Sequence, residues 1–298
     1  MRTISFLTRA AIGALLVPAA LSAQVERQRV DTSFVFDRGG LVHLSLVSGE
    51  IRVVTGTTNE IRILATIERG RLETSISRSR VSIEARSVNS RMGNTRYELT
   101  VPAGTRVDAN AVSGDITVRG TGAEVEANTV SGEITVEDAS GVVDIGSVSG
   151  EIRLTKVAGR IDVSTVSGEL DVDDATGDLS AETVSGTTLV RRGKLRAMRT
   201  SSVSGNISYD GTFDPAGDYR FNTHSGDVTV SIPANGGASL EVETWSGNIQ
   251  SDFPLTLQPG DNMGRHNRHM TFNIGTGGAR VSAETFSGNI SIRRAPAR

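Results

Sequence analysis

The feature that most constrains the fold is a five-residue motif that returns ten times along the chain. In each copy a residue that is usually Val precedes Ser-Gly, and an acidic residue or Asn and then an aliphatic residue usually follow. From Ser113 to Ser185 the copies are 18 residues apart four times in succession, and the later spacings are 19, 21, 21 and 41. A fixed period of this length is typical of a solenoid, in which each repeat buries its apolar side chains against its neighbours.

One repeat, residues 130–147, is predicted to contain two short strands. Val130, Ile134 and Val136 alternate around the motif, and Val143 and Ile145 alternate again after a polar corner. Alternation with a period of two is typical of a half-buried strand. The same columns recur in neighbouring repeats, as in Ile116, Ile134, Ile152 and Leu170, or Val125, Val143, Ile161 and Leu179. They predict a continuous aliphatic core in coils about 4.8 Å apart.

The glycine of the motif is predicted to mark a corner that needs either a positive φ or a close approach of backbones. After the first copy these corner glycines are Gly114, Gly132, Gly150, Gly168, Gly186, Gly205, Gly226, Gly247 and Gly288. A second column, of small hydroxyl residues, lies just before the motif and includes Thr129, Ser147, Thr165 and Thr183. Hydroxyls at this spacing predict a hydrogen-bonded ladder across the coils.

The predicted fold class is all-β, a single-chain parallel β-solenoid with about 18–21 residues per coil. Right-handed coils are expected by analogy with parallel strand crossovers. After the signal, the predicted domain spans 24–298: irregular N-terminal coils or a cap at 24–100, regular repeats at 101–250, a loop or hairpin excursion at 251–278, and a final coil and tail at 279–298. Within the first region we expect strands at Leu46–Val54, Asn59–Ile67, Val81–Ala85 and Tyr97–Val101, and a charged connection at Arg69–Arg80.

The N-terminal segment predicts an exported protein. Residues 1–23 have the charged front, the apolar stretch Ala10–Val17 and the small-residue end Leu21–Ala23 of a secretory signal, and a buried N-terminal helix is the alternative. No later run reaches 18 uninterrupted apolar residues, so no further transmembrane segment is predicted. We therefore expect a periplasmic, cell-surface or secreted location.

Composition excludes several classes of function. The chain has no Cys, which removes disulfides, thiol catalysis and a lipid-attachment cysteine. The formal net charge of −3 argues against general nucleic-acid binding.

The motifs resemble the bacterial "putative adhesin" family of exported β-strand-repeat proteins, long classed as a domain of unknown function. The resemblance rests on the serial Val-Ser-Gly-acid-Ile copies, on Leu99–Gly104 and Val230–Pro233, and on the terminal segment Glu284–Ile290. It covers nearly the whole chain after the signal. It implies a β-repeat fold and an adhesin-like role, and it supplies no catalytic residues.

The repeats contain few of the side chains that catalysis usually requires. Residues 98–208 contain no His, Phe, Tyr or Trp, whereas β-solenoids that cleave polysaccharides need clustered acids and usually aromatic rings. The neighbours Asp173 and Asp174 would point to opposite faces of a strand, and no Gly-x-Ser-x-Gly elbow accompanies the Ser-Gly pairs. We predict a non-enzymatic protein without catalytic residues or cofactor.

No metal site is predicted, although two groups of residues carry side chains that can ligate a metal. An acidic column formed by Asp115, Glu133, Glu151 and Glu169 either binds Ca²⁺ or makes a solubilising face. His266 and His269 are flanked by arginines and are predicted to belong to a basic loop. His224 shares its motif position with Val, Trp and Phe, and is predicted to be a packing residue.

A run of cations is the one candidate binding patch. It comprises Arg191, Arg192, Lys194, Arg196 and Arg199, where the repeat period changes from 18 to 19. Such a corner either contacts an anionic glycan, phospholipid or lipopolysaccharide, or is a solvated turn that balances neighbouring acids.

Together these features predict a non-enzymatic exported scaffold, adhesin-like or envelope-associated, that binds an unidentified protein or glycan of the envelope or cell surface. One alternative is a carbohydrate-active enzyme on a β-helix, which a cleft lined by acids from neighbouring coils would favour. Another is a structural polymer formed by end-to-end stacking of coils.

Overall fold

The computed structural model describes residues 28–87, 93–233, 236–254, 261, 262, 264, 268–275 and 277–295. These residues form strands and no helix, so none could span a bilayer as a helix, and the predicted all-β class is confirmed. The strands are β1 Gln28–Val35, β2 Leu41–Thr55, β3 Glu60–Ile67, β4 Arg71–Ile76, β5 Arg80–Arg86, β6 Thr95–Val101, β7 Arg106–Arg119, β8 Val125–Ser131, β9 Ile134–Glu137, β10 Ser140–Ser149, β11 Ile152–Thr155, β12 Ala158–Ser167, β13 Leu170–Asp173, β14 Thr176–Ser185, β15 Thr188–Ser204, β16 Ile207–Ser225, β17 Val228–Ile232, β18 Ala238–Ser246, β19 Ile249–Ser251, β20 Arg268–Ile274, β21 Ala279–Ser287 and β22 Ile290–Arg294. The predicted signal, residues 1–23, lies outside the described residues.

Each regular repeat contributes one strand before the motif and one strand after it. The strands before the motif, β8, β10, β12 and β14, pair in parallel as one face. The strands after it, β9, β11 and β13, pair in parallel as a second face. Residues one period apart are partners in the register, as with Val143 and Ile161. The longer strands β7, β15 and β16 contribute to both faces.

Antiparallel strands cover both ends of this parallel array. At the N-terminal end β1 pairs with β3, β3 with β6, and β4 with β5, all antiparallel. At the other end β20 is antiparallel to β18. The sheet as a whole is therefore mixed, which corrects the prediction of a wholly parallel architecture. The strands β1, β4 and β20 are themselves edge strands, so the parallel pairing of the coils ends where they are added.

The order of the coils in space differs from their order in the chain. The final coil, β21 and β22, lies between strands that precede it: β21 pairs with both β16 and β18, and β22 pairs with both β17 and β19. At the other end β2 lies between β7 and the pair β5 and β6. The first and last coils are thus internal, and both of their edges are hydrogen-bonded.

Two of the predicted connections contain a strand. Arg69–Arg80, expected to be a charged connection, contains strand β4. The excursion at 251–278 contains β20, which stays on the array as an edge strand. The four strands expected within 24–100 are confirmed as parts of β2, β3, β5 and β6.

The predicted aliphatic columns form the core. Ile134, Val136, Val143 and Ile145 are all fully buried, as are their counterparts in most other coils. Val130, which alternates with them in the sequence, is instead 48% exposed. Successive residues of a strand face opposite sides, and the neighbouring Thr129 faces the core. The valine of the motif must therefore face solvent.

The motif glycines allow the coils to approach closely. A Cβ atom placed on Gly150 would lie 2.0 Å from the carbonyl oxygen of Gly132, and one on Gly205 would lie 1.8 Å from that of Gly186. Since these oxygens belong to backbone, the neighbouring coil could not yield by a side-chain rotation. The close-approach explanation of the glycine column is thereby confirmed.

The hydroxyl column is buried, and four of its members donate hydrogen bonds to the backbone. The hydroxyls of Thr223, Thr285 and Thr244 donate to motif glycine carbonyls on the adjacent coil, at 3.1, 3.1 and 2.9 Å. The glycine carbonyl accepts this bond because no side chain stands between it and the hydroxyl. The hydroxyls of Ser147, Thr165, Thr183 and Ser202 have no hydrogen-bond partner among the described residues, so the predicted ladder of hydroxyl to hydroxyl does not form.

A second corner column adopts the left-handed backbone conformation. Its members are Gly120, Asp138, Lys156, Asp174 and Arg192, with φ between 51° and 78°. For a residue with a Cβ atom, this conformation costs about 1–2 kcal/mol.

Replacing Lys156 by glycine should raise the free energy of unfolding by about 0.5–1 kcal/mol, because relief of the left-handed strain exceeds the entropy cost of glycine. Little is lost with the ammonium group, which lies 3.9 Å from Asp138 with both side chains mostly exposed. Urea denaturation followed by circular dichroism would measure the change. Lys156→Ala is the control, since it removes the charge but keeps the Cβ atom. Equal stability of the two variants would contradict the prediction.

Candidate functional site

The first residue of each motif forms an exposed line across the array, which we call the motif ridge. The motif serines pair in register from Ser48 through to Ser246, so the preceding residues lie side by side on adjacent coils. In spatial order the ridge is Val47, Val112, Val130, Val148, Val166, Val184, Val203, His224, Phe286 and Trp245. The nine apolar members are 42–53% exposed and His224 is also exposed.

The last three members of the ridge are rings stacked on one another, and we call them the aromatic end. The His224 and Phe286 rings are 5.0 Å apart between centroids and 5° from parallel. The Phe286 and Trp245 rings are 6.1 Å apart and 4° from parallel. Phe286 stands in the middle because β21 is inserted between β16 and β18. His224, predicted to be a packing residue, is therefore part of a surface stack.

A cleft of about 430 Å³ runs beside the aromatic end, and we call it the aromatic cleft. One wall is the three stacked rings. The other wall consists of Ser201, Asn222, Glu284 and Glu243, each two residues before a ridge residue. Buried hydroxyl residues, including Thr223 and Thr285, lie between the walls. Sequence analysis missed this site, although the change from Val to His, Trp and Phe in the last motif copies is a signal for it.

Two carboxylates lie next to each other in this cleft. Glu243 and Glu284 are direct partners in the register of β18 and β21. Ser282 donates a 3.2 Å hydrogen bond to Glu284, and His269 Nδ1 lies 3.9 Å from Glu243 Oε2. No Lys or Arg is among the described residues that line the cleft. The polar wall therefore combines negative charge with an amide and a hydroxyl group.

The basic corner on β15 is neutralised by aspartates of the preceding coil. Arg191 contacts Asp171 at 2.5 and 2.7 Å, and Arg196 contacts Asp178 at 2.5 Å. The two remaining pairs are Arg192 with Asp173 and Lys194 with Asp174, the latter at 3.6 Å. Arg199 is exposed on the same strand. Four of the five cations thus have carboxylate partners, and anionic-ligand binding at this corner stays a prediction.

The acidic column after the motif glycines is held by backbone and arginine contacts. The Asp115 carboxylate accepts a 2.9 Å hydrogen bond from the Glu133 amide, and Arg153 pairs with both Glu133 and Glu151. No cluster of three or more potential metal ligands occurs within the described part of the chain. Of the two histidines predicted to lie in a basic loop, only His269 is among the described residues, and it lies on strand β20 rather than in a loop.

Comparison with solved structures finds similar chains of low sequence identity. A putative adhesin from Bacteroides fragilis is 11% identical with a TM-score of 0.41, over 90% of this chain and 99% of that one. A putative lipid binding protein from Parabacteroides distasonis is 12% identical with a TM-score of 0.41, over 90% and 96%. A putative cell adhesion protein from Clostridium sporogenes is 8% identical with a TM-score of 0.23, over 90% and 100%.

Among curated proteins nothing matches this chain. The family comparison is decisive, because the model of the Toastrack DUF4097 family matches residues 41–215 and 182–293, nearly all of the described repeats. The match confirms the resemblance that the repeated motifs predict, and the chain belongs to the Toastrack DUF4097 family.

Proposed function

We propose that this chain is a non-enzymatic, exported scaffold that binds a protein of the cell envelope along the motif ridge. The observation that carries the proposal is the continuous row of exposed side chains, nine of them apolar, one from each coil. Contiguous exposed apolar surface on a folded protein marks an interaction site. Parallel coils through the regular repeats support a β-solenoid as the scaffold, with right-handed crossovers expected.

The size of the ridge fits a protein partner. Nine steps of about 4.8 Å between adjacent strands make it about 43 Å long. From the exposed fractions, the apolar members offer on the order of 700 Å², close to the roughly 800 Å² that each partner contributes to a standard interface. The ridge is one side chain wide, which suits an extended segment or a helix edge of another protein.

The surroundings of the ridge favour a protein over a membrane surface. The motif serine follows each ridge residue directly in the sequence. The acidic column, which includes Glu133 and Glu169, lies two residues after the serines. Anionic lipid headgroups attract basic clusters and are repelled by carboxylates. A partner with an apolar strip beside basic residues would match this arrangement.

Replacing Val148 by glutamate should weaken capture of the envelope partner at least tenfold, because the interface would bury an unpaired charge. The matched control is Val142→Glu, which places the same charge on the same strand β10 at an exposed position off the ridge. Purified protein with each substitution would be titrated against fractionated cell envelope in a pull-down. Val148 and Val142 are 46% and 42% exposed, so both variants should fold.

The proposal requires that only the ridge variant loses the saturable partner. Equal capture by Val148→Glu and Val142→Glu would contradict it, as would capture of nothing by the unsubstituted protein. Circular dichroism of both variants would confirm that any loss is local to the surface.

A carbohydrate-active enzyme remains the second candidate, because acids from neighbouring coils do line the aromatic cleft. Incubation with oligosaccharides and chromatography of the products would test it. The third possibility, an end-to-end polymer, is disfavoured by the antiparallel strands β1, β4 and β20 that cover the ends of the array.

A further inference from the structure

We infer that the aromatic cleft binds a short oligosaccharide of neutral or amino sugars. This adds a ligand class to the proposed scaffold and does not depend on the protein partner of the ridge. The inference rests on three features of the cleft: its aromatic wall, its polar wall and its length.

The aromatic wall offers apolar surface of the kind that a sugar ring covers. Phe286 and Trp245 remain 50% and 47% exposed although they stack on each other and on His224. Their planes are within 5° of parallel, so the rings are held in a fixed relative orientation. Because Phe286 is stacked on both faces, this wall presents ring edges, and the C–H face of a pyranose packs against them as against other apolar surface. A preformed wall of this kind loses little conformational entropy on binding.

The polar wall offers hydrogen-bonding groups for sugar hydroxyls. Glu243 and Glu284 carry carboxylate oxygens that accept hydrogen bonds, and Asn222 and Ser201 can both donate and accept. Bonds from hydroxyls to a carboxylate are among the stronger ones. A sugar has an apolar face and a hydroxyl-bearing edge, so it matches a cleft with one apolar wall and one polar wall.

Length and charge narrow the ligand class further. The cleft crosses β15, β16, β21 and β18, and three steps between strands give a length of about 14 Å. This exceeds a single sugar ring and favours an oligosaccharide. The two adjacent carboxylates repel acidic sugars and attract amino sugars.

The cleft contains its own spectroscopic probe, because Trp245 is the only tryptophan of the chain. We would titrate the full chain with cellotetraose, chitosan tetrasaccharide and tetragalacturonic acid and follow tryptophan fluorescence, with calorimetry in parallel. The neutral and amino tetrasaccharides should give a saturable change, and tetragalacturonic acid should bind at least tenfold more weakly.

Two substitutions should weaken binding of the tetrasaccharides about tenfold each: Phe286→Ala, which opens the aromatic wall, and Glu284→Gln, which removes a carboxylate. The matched controls are Val148→Ala on the ridge away from the cleft, and Glu182→Gln. Glu182 holds the same position relative to its ridge residue but does not line the cleft. Should Phe286→Ala lose its structure by circular dichroism, Phe286→Leu would keep apolar packing while removing the ring.

Three results would overturn the inference. The first is the absence of binding by any tetrasaccharide in both measurements. The second is a response to chitosan tetrasaccharide alone that tetramethylammonium chloride reproduces, which would make the cleft a cation site. The third is unchanged affinity in both cleft variants. Cleavage of a bound tetrasaccharide would support the sugar site and contradict the non-enzymatic proposal, so the two proposals fail separately.

Discussion

Replacing Gly168 by alanine should destabilise the protein by about 3–5 kcal/mol, the range of severe core defects. The new Cβ atom would lie 1.9 Å from the carbonyl oxygen of Gly150. Relief requires that two adjacent coils move apart, which stretches the parallel hydrogen bonds between β10 and β12 before the motif and between β11 and β13 after it. Urea denaturation followed by circular dichroism would measure the loss, and the variant should express poorly.

Two other glycines separate the steric effect from the backbone effect. Gly122→Ala is the matched control, since its Cβ atom would meet nothing closer than Ser140 Oγ at 3.8 Å; we expect a change within about 0.5–1 kcal/mol. Gly104→Ala meets nothing within 4 Å but has a φ of 81°, so it should cost about 1–2 kcal/mol. If Gly168→Ala lost no more stability than Gly104→Ala, the close approach of adjacent coils at the motif glycines would not be what limits substitution there.

The repeat itself could be predicted from sequence because its determinants are local and periodic. Residues 18 apart occupy equivalent positions, so the apolar columns through Ile134 and Val143 could be placed side by side from spacing alone. The glycine column could be recognised for the same reason. These positions depend only on each coil resembling the next one.

Hydrophobicity does not predict that the first residue of the motif faces solvent. Val130 is apolar and lies near core residues in sequence, yet the strand alternation set by Ala127 and Thr129 turns it outward. A hydroxyl faces the core in its place, because a neighbouring glycine carbonyl is there to accept its hydrogen bond.

The aromatic end depends on which coils are adjacent in space, and the repeat period does not determine this. Trp245 and Phe286 are 41 residues apart, and they become neighbours only because β21 enters between β16 and β18. Every coil carries a similar motif, so sequence similarity does not specify which coils are adjacent at the ends. The basic corner shows the opposite case: the partner of Arg196 is Asp178, 18 residues away, a separation that the repeat period could have revealed.

The tyrosines provide a pH dependence that reports on the whole core. All three tyrosines of the chain, Tyr97, Tyr209 and Tyr219, are fully buried, and burial raises the pKa of each phenol above its ordinary value near 10. The negative charge of Glu84 adds to this effect on the pKa of Tyr97. In the folded protein the three phenols therefore stay protonated at a pH where exposed tyrosines ionise.

We expect cooperative alkaline unfolding above about pH 10.5. Above pH 10 the unfolded chain releases phenol protons that the folded chain retains, so stability falls as the pH rises; below pH 10 both states are protonated and these groups have no effect. Each phenol lowers the free energy of unfolding by about 1.4 kcal/mol per pH unit, and the three together lower it by about 4 kcal/mol per pH unit. Tyrosinate absorbance should therefore appear in one step with the loss of the β-sheet circular dichroism. Tyr97→Phe should reduce the slope by about one third. Gradual ionisation without loss of structure would instead mean that the rings are accessible to solvent in the folded state.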